Sequence, residues 1–137
     1  MAISLGLQTL LCGVLLIDAS LAAAAVPSQR VRAAESIRCS RDHLTSFSGR
    51  VLEFRRSNNK TFLKVRTDED TTEVFTLKHP GKESAAEWFL LKGKPFESSH
   101  WKRIEIRKNQ LRPRMRATVW ACDDGSTPVV DWQPQEE

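Results

Sequence analysis

Residues 47–67 read Phe47-Ser48-Gly49-Arg50-Val51-Leu52-Glu53-Phe54-Arg55-Arg56-Ser57-Asn58-Asn59-Lys60-Thr61-Phe62-Leu63-Lys64-Val65-Arg66-Thr67. Two runs of alternating apolar and polar residues flank Asn58-Asn59, a pair suited to the positive φ of a tight hairpin turn. The alternation places Leu52 and Phe54 on one face of the first strand, with Val51 on the other. Leu63 and Val65 share a face of the second strand. Gly49 inside the first run predicts a bend or bulge. Asp68-Glu69-Asp70 then makes a polar turn, and the β-branched and aromatic run Thr71–Leu77 gives a third strand. The three strands form a meander.

After Pro80-Gly81 the period changes. Ser84 and Glu87 have capping-box spacing, and the apolar residues Ala85, Ala86, Trp88, Phe89, Leu90 and Leu91 predict a short helix that Gly93 and Pro95 stop. Strand character returns at Trp101–Arg107 and at Arg114–Cys122, where Met115, Ala117, Val119 and Ala121 share a face. A last strand spans Thr127–Trp132 after the turn at Asp123-Asp124-Gly125. Three meandering strands, one short helix and two or three further strands predict an all-β domain with one short helix. That order matches the five-stranded barrel of the OB-fold, whose helix sits between strands three and four. An SH3-like barrel is the nearer competitor, and a β-sandwich has no need of the mid-chain helix.

The chain has 137 residues, 28% of them charged and 40% hydrophobic, which allows one domain and argues against disorder and collagen. Leu5–Leu21 is apolar except for Asp18 and a few small or polar residues, and Ala22-Ala23-Ala24-Ala25 follows. A short apolar core before small residues is the pattern of a signal peptide cleaved after Ala24 or Ala25, although no base precedes the core. A retained anchor is the competing reading; Asp18 argues against a stable span after so short a run. The expected organisation is a signal peptide at 1–25, a flexible lead-in at 26–38, the folded domain at 39–132 and a polar tail at 133–137. Loss of 1–25 removes Asp18 and no base, so the net charge rises from +4 to +5. It also removes Cys12 and leaves Cys39 and Cys122, which are expected to pair in a secreted or periplasmic domain, two free buried thiols being the alternative.

Gly49-Arg50-Val51, Thr61-Phe62-Leu63-Lys64-Val65 and Trp120-Ala121-Cys122-Asp123-Asp124-Gly125, together with the export signal and one long-range cysteine pair, resemble the receptor-binding B subunits of bacterial toxins of the Shiga and cholera type. The resemblance implies a secreted OB-fold that assembles as a pentameric ring, binds cell-surface glycans and accompanies a catalytic partner subunit.

Little in the sequence suggests chemistry at a reaction centre. His43, His79 and His100 fall in no Ser/His/Asp or His-x-x-x-His pattern. Asp68-Glu69-Asp70 lacks the Gly and the distant Glu of a calcium loop. No Cys/His spacing suggests a metal, and no catalytic residue or cofactor is expected. The informative stretch is basic: Lys102, Arg103, Arg107, Lys108, Arg112, Arg114 and Arg116 stand against a single acid, Glu105. Trp101 and Trp120 flank it. With Val119 inward, Trp120 points outward beside Arg114, Arg116 and Thr118, unless the N-terminal segment covers that face. Cations beside aromatic faces suit anionic or sugar-bearing ligands. The expected ligand-binding residues are Trp101, Lys102, Arg103, Arg114, Arg116 and Trp120, in a non-enzymatic glycan- or polyanion-binding module. An oligonucleotide-binding protein, less favoured by export, and a protein-interaction or inhibitor module of the cell envelope are the alternatives.

Overall fold

The computed structural model describes residues 37–79 and 87–135. The expected signal peptide, most of the lead-in and Ser84 of the expected capping box lie outside the described residues. The meander forms as the sequence predicts, from β1 (Leu44–Arg56), β2 (Lys60–Thr67) and β3 (Thr72–Lys78). β4 (Phe89–Leu91) and β5 (Lys94–Pro95) follow, then the one-turn helix α1 (Trp101–Ile104), the short strands β6 (Glu105–Arg107) and β7 (Gln110–Leu111), and the long pair β8 (Arg116–Cys122) and β9 (Val129–Gln133). Seven strands make one sheet in the order β3-β2-β1-β8-β9-β4-β5, and β6-β7 is a separate hairpin. The chain is therefore mostly β with one short helix. Its main sheet has seven strands and no closing ladder, where five strands in a closed barrel were expected.

β1 organises the sheet by changing partners along its 13 residues. Leu44–Arg50 pair antiparallel with β8, while Gly49–Arg56 pair with β2. At the changeover Gly49 lies so close to Arg66 that a Cβ would collide with the Arg66 carbonyl. The bulge expected near Gly49 falls three residues later, between Val51 and Glu53. That extra residue breaks the alternation: Val51 and Phe54 both enter the core, and Leu52 stays 54% exposed. The sequence pattern, read without a bulge, pairs Leu52 with Phe54 on one face.

The segment expected to be helical takes the opposite form. Phe89, Leu90 and Leu91 form β4, parallel to β9, and the helix lies instead at Trp101–Ile104, where a strand was expected. The reason is burial on both faces. Phe89 and Leu91 face the main core, and Leu90 faces a second cluster with Trp120 and Val129. A short strand buried on both sides carries an unbroken apolar run, which periodicity cannot tell from a helix. The chain leaves β4 through a two-residue turn in which Lys92 (φ 49°) and Gly93 (φ 76°) are both left-handed, the signature of a type I′ hairpin.

The main core gathers Val51, Phe54, Leu63, Val65, Leu77, Ile104, Val119, Val130 and Trp132 between the inward faces of the long strands. Its lower end is aromatic: Trp101 lies 4.8 Å from Phe96, 5.1 Å from Phe89 and 6.0 Å from Phe54, centroid to centroid. Stacked and edge-on ring pairs of this kind add about 0.5–1.5 kcal/mol each beyond their buried area. The β3 edge also approaches the β9-β4 side of the sheet. Thr127 Oγ1 donates to the Lys78 carbonyl at 3.1 Å, and the His79 ring packs edge-on against Phe89.

Cys39 and Cys122 are joined, their Cα atoms 6.1 Å apart across 83 residues of chain. A loop of that length gives a bridge worth about 4–5 kcal/mol on the chain-entropy view. Gly49→Ala tests the partner exchange in β1. It is expected to lower stability by roughly 1–3 kcal/mol, because the Arg66 backbone has to move. A denaturant midpoint equal to that of the parent protein would show that the two strands are not so closely apposed.

Candidate functional site

A cluster of bases surrounds the β6-β7 hairpin, from α1 before it to the segment after β7. Lys102, Arg103, Arg107, Lys108, Arg112 and Arg114 are all exposed. Among the described residues no carboxylate forms a salt bridge with any of them; the acids that do pair are matched to Arg55, Arg56, Lys64, Arg66, Arg116 and His43. Arg112 Nε is held by the Lys102 carbonyl at 3.0 Å. Ile106 stands 58% exposed among these cations.

A clamp fixes the hairpin to β1. Glu105, the one acid of the basic stretch, is buried and accepts from Arg56 Nε at 2.9 Å and from its terminal nitrogen at 2.8 Å. The Asn109 N–H donates to the same carboxylate at 3.1 Å, and the Arg56 N–H donates to Asn109 Oδ1 at 2.7 Å. The guanidinium of Arg56 also lies 4.3 Å above the Trp101 ring. A two-point Arg–carboxylate contact at 26% and 4% side-chain exposure is stronger and better directed than a solvated surface pair. Asn109 takes φ 66° at the turn, a conformation Asn tolerates.

The clamp sets the hairpin beside a second basic surface that sequence reasoning missed. On the outward face of β2, Phe62 lies between Lys60 and Lys64, with the Arg55 guanidinium 4.9 Å from its ring. A groove of about 300 Å3 is lined by Arg55, Arg56, Ser57, Lys60 and Phe62, and a neighbouring one by Asn59, Lys60, Lys78 and His79. Placing Leu63 and Val65 inward already leaves Phe62 outward with two lysines; that was the available signal.

Of the expected ligand residues, Lys102, Arg103 and Arg114 lie exposed on or beside this hairpin. Arg116 does not join them: it faces the opposite flank of β8 and bonds both oxygens of Asp68 through one terminal nitrogen, at 2.8 and 2.6 Å. Neither tryptophan offers an open ring. Trp101 is packed into the aromatic end of the core beneath Arg56. Trp120 does point away from the main core, but it is only 7% exposed, covered by Ile37, Leu44, Leu90 and Val129. Its expected exposure is corrected by the disulfide, which ties the lead-in residues to the end of β8 and brings Ile37 over the indole.

The same outward face of β1, β8 and β9 turns polar beyond Trp120. Ser48, Thr118 and Asp131 stand in one row, opposite one another across three strands. Ser48 and Thr118 share a 2.8 Å hydrogen bond. Asp131 is 3% exposed, and its Oδ1 accepts from the Gly93 N–H at 2.9 Å. Burial pushes the Asp131 carboxyl above its ordinary value, against the opposing effect of that bond and one from the Gln133 side chain.

Comparison with protein-family models, characterised proteins and solved structures finds no match. Among the described residues no helix is long and apolar enough to cross a membrane.

The Asp131 carboxyl makes a pH prediction. Its folded value lies above the unfolded 3.8, so the folded state holds the extra proton and stability falls as pH rises from 3.8 through the folded value. Asp131→Asn keeps the oxygen facing Gly93 and removes the charge. It is expected to melt higher than the parent at pH 7, with the gap closing below pH 3.8. An equal gap at every pH, read by thermal melts, would contradict the burial argument.

Proposed function

We propose that this chain is an exported, non-enzymatic binding module that takes an acidic polymer on the surface formed by the β6-β7 hairpin and the outward face of β2. One observation carries the reading: Lys102, Arg103, Arg107, Lys108 and Arg114 are exposed and unmatched by any described acid, on and beside a hairpin held in place by the buried Glu105–Arg56 pair. Charge already fixed in position costs little ordering entropy when a ligand arrives. Polymer binding then gains from release of condensed counterions. The disulfide supports an oxidising compartment, and there acidic glycans are the favoured ligand class over nucleic acid. Phe62 among Arg55, Lys60 and Lys64 supplies an apolar contact at the edge of the charged surface.

Heparin and single-stranded DNA titrations over a range of salt concentrations test this. Binding is expected to weaken steeply with salt. The triple variant Arg103→Gln, Arg107→Gln, Lys108→Gln is expected to reduce the slope of log K against log salt by about 2–3. Heparin affinity that ignores salt, or a triple variant that binds as the parent does, would overturn the reading. A preference for DNA would move the ligand class to nucleic acid.

The finer architectural reading is an OB-type barrel opened at one seam. Its support is the β1-β2-β3 meander, the pairing of β1 with β8, the β8-β9 hairpin and the parallel β4. The Thr127–Lys78 bond spans the seam. The toxin-subunit version adds a ring of five copies beside a catalytic partner. Light scattering on the purified chain is then expected to give five times the chain mass, and a monomer would remove that version while leaving polymer binding intact.

A further inference from the structure

The row Ser48–Thr118–Asp131 forms the floor of an open cleft of about 750 Å3. Its walls are Asp68 and Arg116 on one side, Lys92 and Gly93 of the β4-β5 turn on the other, and Gln133 and Gln135 at the end of β9. This cleft shares no lining residue with the basic surface proposed above. Its lining carries both acids and bases, Asp68, Asp131, Lys92 and Arg116, where the other surface is basic.

Its floor is both polar and buried. Outward positions of a sheet are commonly solvated, yet Thr118 and Asp131 are both buried. An acid in such a place has lost most of its hydration, and it is met by the Gly93 N–H and the Gln133 side chain instead of a salt bridge; acids in that condition collect at functional sites. The donors and acceptors there are also incompletely used. Ser48 and Thr118 own two hydroxyl protons and share one bond, which leaves one proton to donate. Arg116 reaches Asp68 through a single terminal nitrogen, so its other terminal nitrogen and Nε each keep an N–H able to donate singly. Arg116 stands opposite Gln133, and Thr118 stands opposite Asp131. Asp131 and Arg116 are thus diagonal neighbours on one face, about 7–8 Å apart at the backbone.

We propose that this cleft binds a small zwitterion of the amino-acid or short-peptide class, its ammonium group on Asp131 and its carboxylate on the free edge of Arg116, with the Ser48–Thr118 hydroxyls between them. A lining with charges of both signs suits a ligand that carries both. The ammonium supplies the buried carboxyl with a counter-charge in a medium that strengthens the pair. A remaining N–H of the guanidinium gives a charge-assisted bond to the carboxylate while Asp68 holds the group in orientation. The volume takes a dipeptide, and the mouth is open enough to admit one.

Amide NMR spectra of the full chain titrated with glycylglycine, L-alanine, glucose, acetate and ethylammonium test the assignment. Glycylglycine or L-alanine is expected to shift the Gly93 and Thr118 amides saturably in the millimolar range, and acetate and ethylammonium to bind at least tenfold more weakly. Asp131→Asn and Arg116→Gln are each expected to weaken zwitterion binding tenfold or more. Asp131→Asn is also expected to stay folded, so its loss of binding reads the charge and not the scaffold. Shifts with glucose instead would reassign the cleft to neutral polyols and overturn the proposal. So would silence of these amides toward every zwitterion, or unchanged affinity in Asp131→Asn.

Discussion

The close approach of Gly49 to the Arg66 carbonyl is the constraint on which the rest of the sheet depends. At that point β1 carries two ladders at once, with Gly49 opposite Thr67 on one side and Ala117 on the other. Neither inward neighbour is bulky, so the three strands coil tightly together. The meander and the β8-β9 pair, far apart in sequence, become halves of one curved sheet. The Leu52 bulge then resets parity so that both halves of β1 bury their apolar residues. A larger side chain at residue 49 acts on every pairing that passes through β1.

Curvature also explains how charge is distributed. Inward faces supply one apolar core, and the outward surface divides into regions with different electrostatics. On the outward side of β2, bases outnumber acids, and Glu53 alone serves both Arg55 and Lys64. On the outward side of β8 and β9 Arg116 is matched by Asp68, and the lower part is apolar beneath Ile37. The disulfide separates these environments as much as it stabilises the fold, because it holds the lead-in across Trp120 and leaves the polar row uncovered.

The sequence revealed most where side chains face one way. Strand alternation in Thr61–Thr67 and Thr71–Leu77, the Asn58-Asn59 turn and the cysteine pairing were legible because each is fixed by local pattern or compartment chemistry. Phe89–Leu91 was not, since a strand buried on both faces has no period. Trp101 was misplaced in a strand and at a ligand surface because its partners Phe54, Phe89 and Phe96 come from three separate elements. The basic hairpin was legible as charge. The clamp that fixes it was not: the bond joins residues 49 apart, and nothing in the neighbourhood of Arg56 marks it apart from Arg55. Asp131 was invisible for a related reason, since its burial comes from the Gly93 turn 38 residues away.

The two buried acids illustrate different uses of the same group. Glu105 is desolvated but receives a guanidinium in a two-point contact and an amide N–H, so its charge has full compensation inside the chain. Asp131 is desolvated to a similar degree and receives an amide N–H and a side-chain bond. The first arrangement locks one element onto another. The second leaves a carboxyl whose ionisation is opposed by its surroundings, a cost that Asn or Thr at the same position would avoid while still bonding Gly93. A scaffold selected for stability alone has no reason to keep that charge at the floor of an open cleft. The difference between the two sites, and not the presence of an acid as such, marks Asp131 as the group awaiting a partner from outside the chain.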